Sequence, residues 1–261
     1  MNYLIQIDKN NLPIYDGGYH LIKSIEYQRW YNKNNDSTIS FIQWDVENKP
    51  IIDIQYRNSI PIGSVEFVQE FYKQFHGISY ILPMNIPRVL VDNKSRSLGR
   101  KVHIGKAHDI SIFHPDETIF VKSNTYVKGF NYLGKSRDIN LVDLTKDDDE
   151  IFLFSQHVDI HSEWRCFVFQ QRLVGMHNYS GDFTIMPDQS FVKKIIHELE
   201  VYNENDYFPP SYTIDVALDF NENQYLIEMH DFYSCGHYGF NDYRIIPQMY
   251  SRWHHWFINA L

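Results

Sequence analysis

The sequence has little of what marks several common protein classes. It contains two cysteines in 261 residues, Cys166 and Cys235, which argues against a disulfide framework and favours a reducing compartment. Its formal net charge is −9, and no run of lysine or arginine exceeds two residues. Nucleic-acid binding depends on many cations that neutralise phosphates, so nucleic acid is not expected as the main partner.

Long hydrophobic runs are also missing. The longest uncharged apolar stretches have the length of strands, which argues against a transmembrane helix. The first residues carry no basic region followed by an apolar core, so no secretory signal is predicted. We therefore expect a soluble cytoplasmic protein that does not associate with membranes.

Aromatic residues, by contrast, make up 16% of the chain, enough for a large folded core. In the first part, residues 2–7, 40–46 and 51–56 have strand patterns. Residues 64–75 have the apolar spacing of a helix, and Ser64 is a suitable N-cap. These elements predict a small α/β lobe.

Strand and helix patterns continue to the C-terminus without an internal repeat or a low-complexity linker. We divide the chain into three segments, residues 1–95, 96–155 and 156–261. The mixture of strands and helices, mostly with hairpin-like connections, favours an α+β fold in which lobes are built around sheets.

Two strand patterns near the C-terminus flank the turn-rich sequence DFNEN, which predicts a hairpin. If its turn centres between Asn221 and Glu222, Asp215 lies directly opposite Glu228. Alternation along the strand then places His230 on the same face. The hairpin would bring two carboxylates and an imidazole together.

Two facing carboxylates repel each other unless a cation lies between them. Asp215, Glu228 and His230 therefore form a candidate metal site, and the two carboxylates suit Mg²⁺, which also binds substrate phosphates. Asp231 would point to the opposite face. The alternatives are a register slip of one residue, or an exposed edge where the carboxylates are only solvated.

An arginine lies within a strand pattern of large apolar residues, EWRCFVF. Alternation puts Arg165 on one face with Glu163 and Phe167. The planar guanidinium suits a carboxylate or a phosphate. The alternative is a structural salt bridge to Glu163 or to a neighbouring strand.

Two lysines surround a predicted reversal of the chain at IFVKSNTYVKGF. A strand ends at Lys122, the sequence SNT favours a turn, and Lys128 is followed by Gly129, which allows close approach to a ligand. Both ammonium groups could then contact one phosphate chain, as phosphoryl transfer requires. A strand with solvated ends is the alternative. Neither a P-loop nor a protein-kinase catalytic loop is present.

In order and spacing, these motifs resemble those of the ATP-grasp superfamily, and specifically of its clade named for one arginine and two lysines. IFVKSNTYVKGF is similar to the double-lysine segment, and EWRCFVF to the arginine strand and to a region of peptide-glutamate ligases. YTIDVAL and QYLIEMH resemble the metal-binding end of the domain. The resemblance covers about residues 95–245.

The resemblance implies an ATP-grasp fold, in which two α+β lobes grip ATP. Residues 96–155 would form the small lobe and residues 156–261 the large C-terminal lobe. Residues 1–95 would be the preceding α/β lobe, placed there only by analogy with the usual pre-grasp domain.

The resemblance also implies roles for five residues around ATP. Lys122 and Lys128 would bind its phosphates, with Lys128 also acting in catalysis. Gln156 and Val158, in the hinge sequence SQHV, would contact adenine. Arg165 would contact the nucleotide and stabilise the transferring phosphoryl group.

Asp215, Glu228 and His230 would hold the metal of such an enzyme, Mg²⁺ or, as an alternative, Mn²⁺. The sequence departs from the family at His230, where most members have asparagine. Imidazole is a poor ligand for Mg²⁺ and a better one for Mn²⁺ or Zn²⁺.

The implied reaction joins a small-molecule or peptide carboxylate to an amine through an acyl phosphate, with release of ADP and phosphate. One alternative is an ATP-dependent phosphotransferase of the same fold. Another is an inactive module that binds a nucleotide or a protein. For the substrate side, Tyr179, Ser180 and the loop SCGHYGF are candidates.

Overall fold

The computed structural model describes residues 1–32, 36–126, 129–140, 145, 148–202 and 208–259. Three sheets follow one another along the chain. The first has three parallel strands in the order β2-β1-β3: β1 (Asn2–Ile7), β2 (Thr38–Gln43) and β3 (Ile60–Ile62). Two helices belong to this part of the chain, α1 (Asp16–Asn32) and α2 (Val65–His76).

The second sheet is antiparallel and follows the short helix α3 (Arg88–Asp92). Its strands are β4 (Val102–Gly105), β5 (Thr118–Ser123), β6 (Asn131–Lys135) and β7 (Phe152–Gln156). Their order in the sheet is β4-β7-β5-β6, so β5 and β6 form a hairpin at one edge.

The third sheet is also antiparallel, in the order β11-β10-β8-β9. Its strands are β8 (Ile160–Phe169), β9 (Arg172–Gly181), β10 (Ser211–Asp219) and β11 (Gln224–Asp231). Helix α4 (Gln189–Tyr202) lies in sequence between β9 and β10, and α5 (Ile246–Asn259) ends the described chain.

Apolar packing explains which face of the third sheet is left for polar groups. Ile214 and Val216 of β10 share a buried cluster with Val192 and Ile195 of α4. Because side chains alternate along a strand, Asp215 lies between them on the opposite face. The face of the third sheet that carries Asp215 therefore points away from α4 and towards the remainder of the molecule.

A second buried cluster joins the first sheet to α5 and to the third sheet. Tyr3 and Phe71 belong to it together with Phe167 of β8 and Trp253 of α5. The N-terminal part of the chain is therefore packed against the C-terminal part.

The sheets can be compared with the three predicted segments. The first and third sheets fall within residues 1–95 and 156–261, whereas the second ends at Gln156, one residue beyond its segment. The exact lobe boundaries stay a prediction. No helix in the described part of the chain is long and apolar enough to cross a membrane.

Candidate functional site

Five charged or ionisable side chains meet between the second and third sheets. Lys122 lies near the end of β5, Arg165 in β8, and Asp215 in β10. Glu228 and His230 lie in β11. Strands from two sheets thus bring together residues that are more than 100 positions apart in sequence.

The predicted pairing of the last hairpin is confirmed at the acidic pair. Asp215 lies opposite Glu228, and Thr213 lies opposite His230. One ligand atom from each of Asp215, Glu228 and His230 can be chosen so that all three lie within 4.8 Å of one another. The three residues predicted to hold a metal are therefore close enough to do so.

The position of the turn is predicted wrongly, however. Leu218 pairs with Gln224, so the turn centres on Asn221, half a residue earlier than expected. The pairing shifts next to Asp215, where β11 contains one extra residue, Ile227. This bulge restores the predicted pairing at the site, and bulges often re-aim side chains in this way.

Arg165 makes a two-pronged ion pair with Asp215 on the neighbouring strand. Its Nε donates to Asp215 Oδ1 (2.8 Å) and its Nη2 to Oδ2 (2.6 Å), while Nη1 donates to the Gly236 carbonyl (3.2 Å). Both residues are buried, with Arg165 5% exposed and Asp215 1% exposed. Burial would lower the pKa of Arg165, but Asp215 outweighs it and raises that pKa. The salt bridge considered as an alternative is thus present.

Glu228 is contacted by two cations. Lys122 Nζ donates to its Oε2, and His230 Nε2 lies 2.7 Å from its Oε1. Burial alone would raise the pKa of Glu228, but His230 and Lys122 outweigh it and hold this pKa well below its usual range. Glu228 is therefore ionised in this arrangement.

His230 lies between the two carboxylates, with Nε2 3.5 Å from Asp215 Oδ2. Burial would lower the pKa of His230, but its hydrogen bonds with Asp215 and Glu228 raise it to about 9. The imidazole is thus protonated at neutral pH and must lose that proton before it can bind a metal. The two carboxylates fit Mg²⁺, and the full set fits Mn²⁺ better.

Asp231 is held by a different partner, as the predicted alternation requires. Its Oδ1 accepts a hydrogen bond from Trp253 Nε1 of α5 (2.8 Å). Burial raises the pKa of Asp231 to about 6, although Trp253 and His230 act in the opposite direction. Asp231 is therefore tied to the packing of α5.

The predicted reversal after Lys122 is present. The Ser123 N–H donates to the Phe130 carbonyl, and the Gly129 N–H to the Tyr126 carbonyl. A Cβ atom on Gly129 would lie 2.7 Å from Ser123 Cβ, so this close approach requires glycine. Lys128 lies outside the described residues, and its contact with phosphates stays a prediction.

Gln156 and Val158, predicted to contact adenine, lie at one cavity of about 550 Å³. The cavity is also lined by apolar side chains, among them Phe120, Leu133 and Ile227. The Gln156 N–H donates to the Lys101 carbonyl. The Val158 N–H has no hydrogen-bond partner within the described part of the chain.

A second cavity, of about 380 Å³, is lined by Lys122, Glu228 and His230. Phe120 lines both cavities, so they adjoin each other. An elongated ligand with an apolar end and an anionic end could occupy both.

Sequence patterns missed part of the surroundings of Arg165. Its guanidinium carbon lies 5.6 Å from the ring centre of Tyr179 and 5.0 Å from that of Tyr238. The two rings stack on each other at 5.0 Å. Tyr179 and the loop that contains Tyr238 were candidates for the substrate side, but their contact with Arg165 depends on how loop and sheet pack.

Arg100 was not singled out by any motif. It lines the larger cavity, and its Nη1 donates to the Leu226 carbonyl of β11 (2.6 Å). Burial lowers the pKa of Arg100 to about 10. Arg100 lies in the connection before β4, so alternation along the strand could not have assigned its side chain to a face.

Solved structures with a similar fold share little sequence with this chain. D-cycloserine synthetase DcsG has a TM-score of 0.62 at 9% identity, covering 97% of this chain and 99% of its own. D-alanine–D-alanine ligase from Bacillus anthracis, solved with ATP, has a TM-score of 0.52 at 11% identity, covering 100% and 99%. The ATP-grasp ligase PsnB, solved with a minimal precursor, has a TM-score of 0.51 at 8% identity, covering 96% and 99%.

These likenesses confirm the predicted α+β ATP-grasp fold. No curated protein sequence matches the chain. The profile of one family matches residues 98–246, which is more than half of the chain. That family is described as an ATP-grasp domain, the second family of the clade named for one arginine and two lysines. The protein therefore belongs to this clade of the ATP-grasp family.

Proposed function

We propose that the protein is an ATP-dependent ligase that joins a carboxylate to an amine through an acyl phosphate. The observation that carries this proposal is the charged network in which Lys122 of one sheet meets Glu228 of another, beside the Arg165–Asp215 pair. Cations for phosphates and carboxylates for a metal are what phosphoryl transfer needs. Membership of the ATP-grasp family supports an ATP-dependent ligase.

In this proposal ATP lies across the two adjoining cavities. Adenine occupies the larger, more apolar cavity, where Gln156 and Val158 lie at the wall and the Val158 N–H would donate to the ring. The phosphates extend into the smaller cavity, where they take the place of Glu228 as partners of Lys122. Lys128 would join them from the reversal.

Asp215 and Glu228 would hold Mg²⁺, and His230 would complete the set when deprotonated, which would favour Mn²⁺. The metal supplies positive charge that offsets the charge of the phosphates. If the metal takes Asp215 as a ligand, Arg165 shares that carboxylate and keeps N–H groups for the transferring phosphoryl group.

The reaction then proceeds in two steps. A carboxylate oxygen of the first substrate attacks the γ-phosphorus of ATP, the bond to ADP breaks, and an acyl phosphate forms. The amine nitrogen attacks the acyl carbon, phosphate leaves, and the nitrogen loses a proton. Arg165 stabilises charge on the phosphoryl oxygens, and closure of the lobes keeps water from the acyl phosphate.

The structural neighbours suggest the substrate class. Their names include a D-alanine–D-alanine ligase, which is a small-molecule case, and a ligase solved with a minimal precursor. We propose a small-molecule or peptide carboxylate and an amine for this chain as well. Both cysteines are free and buried, which is compatible with the proposed cytoplasmic location.

The test is a screen of amino acids, polyamines and peptides with ATP and Mg²⁺, read by ADP release and by mass spectrometry of the products. An amide together with ADP and phosphate supports the ligase. A phosphorylated acceptor identifies a phosphotransferase instead. Nucleotide binding without ADP release for any substrate pair identifies a binding module.

A further inference from the structure

Asn85 connects three parts of the molecule. It follows the first sheet in sequence, is 6% exposed, and lines the smaller cavity. Its carbonyl accepts a hydrogen bond from the Met229 N–H (3.1 Å), and its side-chain Nδ2 donates to Asn124 Oδ1 (2.9 Å). One residue thus contacts both the second and the third part of the chain.

The two partners of Asn85 lie beside the charged network. Met229 stands between Glu228 and His230 in β11. Asn124 follows Lys122 by two residues, at the start of the reversal. Asn85 therefore spans from the lysine-bearing segment to the segment that carries two candidate metal ligands.

The backbone of Asn85 suits this position. Its φ is +46°, a left-handed conformation that asparagine adopts more readily than most residues other than glycine. β11 lies at the edge of its sheet, so it needs partners outside the sheet for its outward backbone groups. Met229 is fully buried, and leaving its N–H unpaired there would be costly.

A second contact holds the same edge. Arg100, from the segment that links the first and second sheets, donates to the Leu226 carbonyl. Leu226 and Met229 flank the bulged residue Ile227 and its neighbour Glu228. The segment that links the first and second sheets thus contacts β11 on both sides of the bulge. This bulge determines the pairing of Glu228 with Asp215.

We propose that Asn85 is a positioning residue that fixes the Lys122 segment relative to Glu228 and His230. This role rests on the proposed function, in which ATP phosphates and a metal must fit between Lys122 and the pair Glu228 and His230. The distance between the two segments therefore matters for binding. A misplacement of about 1 Å in such a site can cost about 10²-fold in rate. Asn85 acts through Asn124 and Met229 and need not touch the nucleotide.

Two substitutions separate the side chain from the backbone. Asn85→Gly keeps the left-handed backbone and its carbonyl but removes the amide, and Asn124→Ala removes the acceptor. We expect each to weaken ATP binding in the presence of Mg²⁺ by about two- to tenfold, the range for one lost hydrogen bond. The double variant should bind ATP no more weakly than whichever single variant binds it less tightly, because the two substitutions remove the same hydrogen bond. Asn48→Gly, in an exposed loop, is the matched control and should bind like the parent.

Hydrogen exchange in the nucleotide-free protein provides a readout that does not need ATP. We expect residues 119–126 to exchange faster in Asn85→Gly and in Asn124→Ala, with α4 unchanged. Asn124→Asp keeps an acceptor oxygen, so its exchange should match the parent.

Unchanged exchange of residues 119–126 in both variants would overturn the proposed role of Asn85, as would additive losses of affinity in the double variant. A parent protein that binds no ATP would overturn the proposed function. The exchange measurement would still decide whether Asn85 fixes the Lys122 segment.

Discussion

Replacing Arg165 by lysine separates a catalytic role from a structural one. In the parent protein the two oxygens of Asp215 accept from Arg165 Nε and Nη2 at 2.8 and 2.6 Å. Lysine keeps the positive charge but cannot span both oxygens. The contact of Nη1 with the Gly236 carbonyl is lost as well. With one charge-assisted hydrogen bond retained, we expect the free energy of unfolding to fall by about 1.5–3 kcal/mol.

The expected loss of turnover is larger than this loss of stability. A donor that meets charge developing in the transition state typically contributes about 10²- to 10³-fold, or about 3–4 kcal/mol. Turnover would be measured as ADP release, ATP affinity by calorimetry, and stability by urea unfolding. Arg172→Lys, at an exposed position at the start of β9, is the matched control and should behave like the parent in all three assays.

The reasoning would be refuted if Arg165→Lys remained folded and kept the parent's turnover. A variant that unfolds would show instead that the Asp215 pair is mainly structural. To cover that case, turnover would also be measured at low temperature on the folded fraction. Parent-like turnover of that fraction would remove Arg165 from the reaction.

The remaining predictions concern the phosphate-binding lysines, the metal ligands and a buried histidine. Lys122→Ala and Lys128→Ala should each weaken ATP binding in calorimetry while thermal unfolding stays close to that of the parent. Glu228→Gln should abolish Mg²⁺-dependent ATP binding, because one of two hard ligands is lost. His230→Asn should keep Mg²⁺-supported turnover and lose any preference for Mn²⁺. Burial lowers the pKa of His237 to about 3, whereas the same imidazole in the unfolded chain has a pKa of about 6.5. As the pH falls below about 6.5, His237 is therefore protonated in the unfolded chain before it is protonated in the folded protein. The free energy of unfolding should therefore fall by up to about 1.4 kcal/mol per pH unit between about pH 6.5 and about pH 3. His237→Gln removes this titration, so the free energy measured by urea unfolding should depend less on pH over this range.

Each of these predictions has an opposing result. Parent-like ATP affinity in a lysine variant would remove that lysine from the phosphate-binding site. Retained metal-dependent binding in Glu228→Gln would remove Glu228 from the metal site, and loss of Mg²⁺-supported turnover in His230→Asn would make the imidazole essential. An unchanged pH profile in His237→Gln would mean that other groups cause the acid instability.

Local patterns were sufficient where a short segment specifies its own structure. Residues 64–75 were predicted as a helix, and α2 spans Val65–His76 after a Ser64 side chain that caps the Phe67 N–H. The apolar spacing and the N-cap are both properties of adjacent residues. For the same reason the reversal after Lys122 could be predicted from turn-forming residues and one glycine.

Local patterns misled at a segment that has no neighbouring strand within the described residues. Residues 51–56 have a strand pattern, but Ile51 is 89% exposed and a 3₁₀ turn runs over Ile54–Tyr56. The Asp53 side chain accepts from the Gln55 N–H and caps that turn. A strand needs a neighbouring strand, and strand patterns do not show whether one is present.

Helix α1 was missed for a related reason. It begins with Asp16 and two buried glycines, and among its residues of described burial the buried side chains are Leu21, Ser24 and Ile25, a short stripe. A helix with so narrow an apolar face gives a weak periodic signal. Its place is decided by packing against α5 and the first sheet.

At the site, the residue types were readable from the sequence, since carboxylates, lysines and an arginine in strand patterns suit phosphates and a metal. Their partners were decided by tertiary structure. The pairing of Asp215 with Glu228 depends on the bulge at Ile227, and the pairing of Asp215 with Arg165 depends on β8 lying beside β10. Alternation along a strand specifies which face a side chain occupies, but contacts between distant segments depend on how the sheets pack against each other.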